Sequence, residues 1–274
     1  MSLDPNSWRH AREQTRVGER KMFQHDCGDG NKLVVSRDTR GWSAWCFRCA
    51  ASGWVPGPQE TIGEKLARLK AATLADNSLA ALPPTSMPGL LNYTQDEWPA
   101  WAKLWFYKAG LSSRDIALIG AGYDQASARV VLPLRGPDGD LVWWQARAGE
   151  DRAPKYLSPG TPNLLGCYGK LATARRTGYC VLTEDMLSAY KVSKAGYYAV
   201  PLCGTSMRPA VVKHIVQEHA KHTVVVWLDP DPAGLAGSNR AVRFLQSLGI
   251  KSFAVHSAED PKMHTIQDIK DYIG

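Results

Sequence analysis

No apolar run in the 274-residue sequence approaches the roughly 20 residues needed to span a bilayer. Residues 1–14 (MSLDPNSWRHAREQ) lack the apolar core of a secretory signal. The expected setting is therefore the cytoplasm, with no membrane partner. No G-x-x-x-x-G-K-[ST] loop occurs, which excludes a P-loop unit. Cysteines are few, six in all, and in an intracellular chain they point to metal binding or buried thiols rather than disulfides. Acidic side chains are outnumbered, 26 against 33 Lys and Arg, for a net charge of +7 and a pI near 9.1. That bias suits a polyanionic partner. A composition of 44% hydrophobic and 22% charged residues is ordinary for a soluble protein with one or two sizeable cores.

The most informative stretch is residues 223–234 (TVVVWLDPDPAG). Its continuous β-branched run predicts a strand buried on both faces, the centre of a parallel sheet. Ligands bind at the carboxyl ends of such strands, where Asp229 and Asp231 stand. Two carboxylates spaced i and i+2 repel each other and favour a hard cation such as Mg²⁺. A polar β-turn is the plainer reading of Asp-Pro.

The flanking sequence weighs against a mere turn. Residues 179–183 (YCVLT) form another apolar run and end in Glu184, followed by a helical segment over 186–195. A third run, 197–202, leads into a loop at 203–206. Helices over 209–220 and 235–248 and a last strand over 252–255 complete the pattern. Strands alternating with helices indicate a doubly wound α/β unit. An acid after one strand and Asp-x-Asp after a later one resembles the Toprim domain, shared by bacterial-type primases, topoisomerases, and certain nucleases and recombination proteins.

The second motif lies near the start. Cys46 and Cys49 form a C-x-x-C knuckle that aims two thiolates at one tetrahedral centre. His25 and Cys27, i and i+2 on extended chain, supply a convergent partner pair. Residues 32–36 and 41–45 between them predict a hairpin, with its turn at 37–40. The expectation is a zinc ribbon liganded by Cys27, Cys46 and Cys49, with His25 or another nearby group as the fourth ligand, because so small a segment cannot build a core without a staple. Trp42, Trp45, Phe47 and Trp54 among Arg37, Arg40 and Arg48 suit stacking on unpaired bases, with Trp42 and Arg48 as the expected exposed contacts.

Residues 58–92 are rich in Ala, Ser and Pro and predict a flexible linker carrying one helix over 62–74. An aromatic helix follows over 93–108, its tryptophans expected in the core, and a short helix to residue 119. Two strands, 128–134 and 140–147, are joined by a turn at Gly136 and Gly139. Arg129, Gln145, Arg147, Lys155 and Lys170 offer polar and cationic groups just upstream of the acids, suited to phosphate. Cys167, Cys180 and Cys203 are expected as core thiols.

A zinc ribbon ending in CFRC, a tether, the segments RVVLPLRG and WWQARAGEDRAPKYLSP, and a Toprim unit together resemble a DNA primase of the bacterial and phage type. The likeness is to short phage primases without a fused helicase. It implies a multidomain fold: a β zinc ribbon over residues 1–57, the linker over 58–92, an α+β subdomain of the RNA polymerase domain over 93–175, and a mainly parallel α/β Toprim subdomain over 176–274. It further implies Glu184, Asp229 and Asp231 as catalytic, Mg²⁺-binding acids, with Mn²⁺ as the alternative ion. Arg129, Arg147, Lys155 and Lys170 become nucleotide or template contacts. The implied reaction joins ribonucleoside triphosphates into short RNA on single-stranded DNA, in the company of a separate replicative helicase and a DNA polymerase. Two departures stand out: Asp185 replaces a glycine and Ser188 replaces an acid, while Asp260 offers a further carboxylate. A non-catalytic recombination mediator and a Toprim nuclease remain the alternatives.

Overall fold

The computed structural model describes residues 2–38, 40–57, 62–149, 152–160 and 165–274. The expected hairpin turn at 37–40 and the start of the linker at 58–61 fall partly or wholly outside these. The chain divides into two units, Met1–Ala71 and Ala72–Gly274.

In the first unit a short helix α1 (Arg9–Glu13) precedes β1 (Arg20–His25), β2 (Gly28–Arg37), β3 (Gly41–Cys46) and β4 (Ser52–Pro56). They form an antiparallel sheet in the order β1-β2-β3-β4. The expected hairpin is β2 with β3, in register from Leu33 opposite Cys46 to Arg37 opposite Trp42. Outer strands β1 and β4 are additions; each is short, and none of its residues is fully buried. One sheet face buries Leu33, Val35, Ala44 and Cys46 against Leu3, Trp8 and Ala11. Trp8, fully buried, thus supplies the core that the strands alone lack.

In the second unit α2 (Ile62–Ala80), which begins in the first, is longer than the sequence predicts. The linker expected over 58–92 is tied down in its second half. Leu79, Leu82, Met87 and Leu91 pack on Val131, Trp144 and Ala146, and the Trp144 indole donates to the Ser86 carbonyl at 2.9 Å. Next come β5 (Leu91–Asn92), α3 (Ala100–Lys108), α4 (Ser113–Ile119), β6 (Gly122–Asp124), β7 (Arg129–Arg135), β8 (Leu141–Ala148) and β9 (Tyr156–Leu157). The five strands form an antiparallel sheet in sequence order, covered by α3 and α4 through Trp98, Phe106, Ile116, Val130 and Leu132. Ser112 starts α4 with a capping box to Asp115, which satisfies two orphan donors at once.

The remainder is α5 (Leu171–Thr177), β10 (Tyr179–Thr183), α6 (Met186–Lys194), β11 (Tyr198–Pro201), α7 (Pro209–Glu218), β12 (Thr223–Trp227), α8 (Pro232–Ser247), β13 (Ser252–Ala254) and α9 (Ile266–Ile273). Its sheet is wholly parallel in the order β11-β10-β12-β13. The β12 valines explain its central place. Val224 and Val226 face α7 and α8, while Val225 and Trp227 face α6 and α9. Each fully buried valine contributes on the order of 1.5–3 kcal/mol. Among the described residues, no helix is long and apolar enough to cross a membrane.

Candidate active site and candidate metal centre

Strand order reverses between β10 and β12: β11 lies on one side of β10 and β12 on the other. Ligand crevices of open α/β sheets open at such a switch point, at the strands' carboxyl ends. Glu184 directly follows β10, and Asp229 follows β12 by one residue. Both line one cavity of about 230 Å³, together with Trp105, Gln145, Tyr156, Asp185, Cys203 and Lys262. Glu184 Oε2 and Asp229 Oδ1 are buried there without a hydrogen-bond partner among the described residues.

The turn after β12 is tight. A Cβ on Gly234 would meet the Asp229 carbonyl oxygen at 2.1 Å, so only glycine lets α8 start this close to the strand end. Asp231, exposed, caps α8 by accepting from the Gly234 N–H at 2.7 Å. It therefore has a structural duty, whereas Asp229 Oδ1 has no hydrogen-bond partner among the described residues.

Burial pushes the Asp229 carboxyl up to about 7; Lys262 opposes the shift, and Asp185, Asp260 and Glu184 add to it. Burial likewise raises Glu184; a backbone hydrogen bond from Asp229 counteracts it, and Asp231, Asp185 and Asp260 reinforce it. Desolvated carboxylates with bare oxygens fit a hard, oxygen-seeking divalent cation.

The departures seen in the sequence are linked in space. Asp185 caps α6, with Oδ1 accepting from the N–H of Leu187 and Ser188 at 2.8 and 3.0 Å. Its Oδ2 accepts from Ser188 Oγ at 2.7 Å and from Lys262 Nζ at 2.9 Å. Lys262 also donates to Asp260 Oδ2. Burial works against the Lys262 charge, yet Asp185 and Asp260 outweigh it and hold its pKa above the ordinary value. Sequence reasoning passed over Lys262; the signal was a lysine two residues after an acid in a post-strand loop.

A second cavity, of about 570 Å³, shares Trp105 and Lys262 with the first and is further lined by Trp101, Lys108, Arg147 and Arg152. The Arg147 guanidinium lies 4.5 Å from the Trp105 ring centre. Trp105, expected only as core, thus forms part of the cleft wall. Lys155 and Lys170 are exposed and line neither cavity.

Arg129 requires a correction. Expected at nucleotide or template, it is fully buried, with Nε and Nη2 bound to the two Asp76 oxygens at 3.0 and 3.2 Å and Nη2 also to the Pro154 carbonyl at 2.8 Å. Its neighbours β6 and β8 enclose it, so its charge is consumed internally. Cys203 also departs from the expected core thiol: it lines the acid cavity in a left-handed conformation, φ 53°. Burial pushes its thiol up to about 12.

In the first unit His25 and Cys27 sit at the β1–β2 tip, and Cys46 and Cys49 at the turn after β3. Their ligand atoms all lie within 4.8 Å of one another, with His25 Nδ1 3.0 Å from Cys27 Sγ and 3.5 Å from Cys49 Sγ. Burial raises the Cys46 thiol, but backbone hydrogen bonds from Cys49 and Arg48 outweigh it and bring the pKa to about 6. A ready thiolate among two more thiols and an imidazole fits tetrahedral zinc. Trp42 is not the exposed contact expected: its indole donates to the Arg12 carbonyl at 3.1 Å, and Arg37 stacks 4.3 Å from its ring centre. The exposed aromatics are Trp45, Phe47 and Trp54. Arg48, exposed as expected, donates to the Asp29 carbonyl.

No family model matches the chain. A DNA primase of Neisseria meningitidis serogroup A is 26% identical over 164 residues, covering 56% of this chain and 28% of the relative. One from Deinococcus radiodurans is 27% identical over 269 residues, covering 90% of this chain and 43% of the relative. The chain thus spans less than half the length of either. Among solved structures, the zinc-binding and RNA polymerase domains of Aquifex aeolicus primase superpose with a TM-score of 0.56 at 15% identity, over 93% of this chain and 77% of that one. In sequence and in fold alike, the chain is similar to the bacterial DNA primases.

Proposed function

We propose that this protein joins ribonucleoside triphosphates into short RNA primers on a single-stranded DNA template. The observation that carries the reading is the pair of bare, buried oxygens on Glu184 and Asp229, at a strand-order switch point and beside a groove of tryptophan and arginine. Glu184, Asp229 and the free oxygen of Asp231 would hold Mg²⁺, or Mn²⁺ in its stead. A divalent ion in that position neutralises triphosphate charge and makes the primer 3′-hydroxyl more acidic. The alternative role for Glu184 is to take the hydroxyl proton instead of binding the ion. Arg147 and Lys108 offer charge to phosphates, and Trp101 and Trp105 offer ring faces to bases. Exposed Lys155 and Lys170 fit the outgoing template backbone.

The four-ligand cluster is assigned to zinc, and the ribbon over residues 1–57 to selecting the template start through Trp45, Phe47 and Trp54. Residues 93–175 and 176–274 act as the two halves of the polymerase. A separate helicase and a DNA polymerase are its partners at the fork. The test is a gel assay with single-stranded templates, labelled ribonucleotides and Mg²⁺. Short template-dependent RNA is the expected product. DNA binding without synthesis favours a recombination mediator, and degraded template a nuclease.

A further inference from the structure

The carboxylates of the cleft fall into two sets. Asp185 accepts from two backbone N–H groups, one hydroxyl and one ammonium. A carboxylate has about four lone-pair sites, so Asp185 has none left for a metal. Asp260 is bound to the same ammonium. Glu184 and Asp229, by contrast, each keep a buried oxygen with no partner among the described residues.

Lys262 is what separates the sets. Its side chain is only 18% exposed, and it stands on the one-turn 3₁₀ segment Pro261–Met263, anchored by buried Pro261. Its ammonium projects to the boundary of the acid cavity and the basic groove, lining both. A buried ammonium between two carboxylates supplies the positive charge that those carboxylates otherwise draw from solution. It also repels a divalent ion from their side of the cleft.

We propose that Lys262 is a resident cation of the acid cleft, holding Asp185 and Asp260 so that a single divalent ion binds, on the Glu184 and Asp229 side. This rests on the reading of Glu184 and Asp229 as metal-binding acids. Lys262 acts here as a positioning residue: it sets how many ions the cleft accepts and where. Because it also faces the groove, it leaves one ammonium proton to meet a phosphate oxygen arriving from that side.

The test is Mn²⁺ binding to the zinc-loaded full chain, counted by electron paramagnetic resonance. The wild type is expected to bind one Mn²⁺ in the cleft. Lys262→Met frees Asp185 and Asp260 and adds a second ion, which Asp260→Asn on the same background removes again. Lys262→Arg keeps the charge, and with it the wild-type count. Two Mn²⁺ in the wild type, or one in Lys262→Met with wild-type circular dichroism, overturns the proposal. Asp229→Asn separates the two claims. It is expected to weaken the first ion at least tenfold, and unchanged binding there overturns the metal-site reading itself. Should Lys262→Met misfold, a second ion bound by Lys262→Arg contradicts the proposal just as directly.

Discussion

Arg129 and Asp76 form a two-pronged ion pair, 3.0 and 3.2 Å, with the arginine side chain wholly buried and the aspartate nearly so. Arg152 adds a third bond to the same carboxylate at 2.8 Å. The pair fastens the end of α2 to β7. Removing one partner strands a buried charge. Asp76→Asn is therefore expected to destabilise the protein by about 3–5 kcal/mol, measured by urea unfolding. Replacing both members, Asp76→Leu with Arg129→Met, is expected to recover most of that loss.

Asp229 predicts a pH dependence of opposite sign for stability and for metal affinity. Its folded pKa, about 7, lies above the ordinary 3.8. Its contribution to stability is thus fully present below about 4 and is lost as pH rises through about 7. Without divalent metal, the melting temperature should carry a component falling over that window, and Asp229→Asn should remove it. Metal needs the carboxylate, so Mn²⁺ affinity should weaken about tenfold per pH unit below 7.

The C-terminal end of α7 carries a histidine relay. Tyr198 Oη lies 3.0 Å from His214 Nε2, His214 3.1 Å from His219 Nε2, and His219 2.9 Å from His222 Nδ1. Burial, then His214, His222 and Arg175, lowers the His219 pKa from 6.5 to about 3. A depressed base favours the fold above 6.5 and opposes it as pH falls toward 3. Stability should drop by about 1.4 kcal/mol per unit in that range, and His219→Gln should flatten the slope. Denaturant unfolding at pH 4 to 7 measures both.

The ribbon's core is small, a single cluster around Trp8, Leu33 and Val35, so metal should hold it together. Cys46→Ser, or chelation, is expected to abolish amide-exchange protection in β1–β4. Retained protection after metal loss is confirmed by elemental analysis would refute the claim that metal holds the ribbon together.

The parallel sheet was legible because burial on both faces leaves continuous apolar runs, and Glu184 and Asp229 drew notice because they stand just past the ends of two such runs. The convergence of His25, Cys27, Cys46 and Cys49 was legible because two short spacings flank one hairpin. Arg129 was misjudged because a buried arginine and a phosphate-binding one look alike in sequence; only Asp76, 53 residues away, distinguishes them. The linker was overestimated because its anchors, Leu79 at the end of α2 and Leu82, Met87 and Leu91 beyond it, follow no single period. Lys262 carried only a weak signal, its spacing from Asp260, because its meaning depends on Asp185, 77 residues upstream.

The central claim is that the Glu184 and Asp229 cleft joins ribonucleotides. The direct measurement is primer yield on single-stranded DNA with Mg²⁺, comparing wild type with Asp229→Asn at matched folding and zinc content. Short RNA is expected from the wild type and at least a hundredfold less from the variant, on the order of the loss when a transition-state charge stabiliser is removed. Equal yields from the two proteins would contradict it.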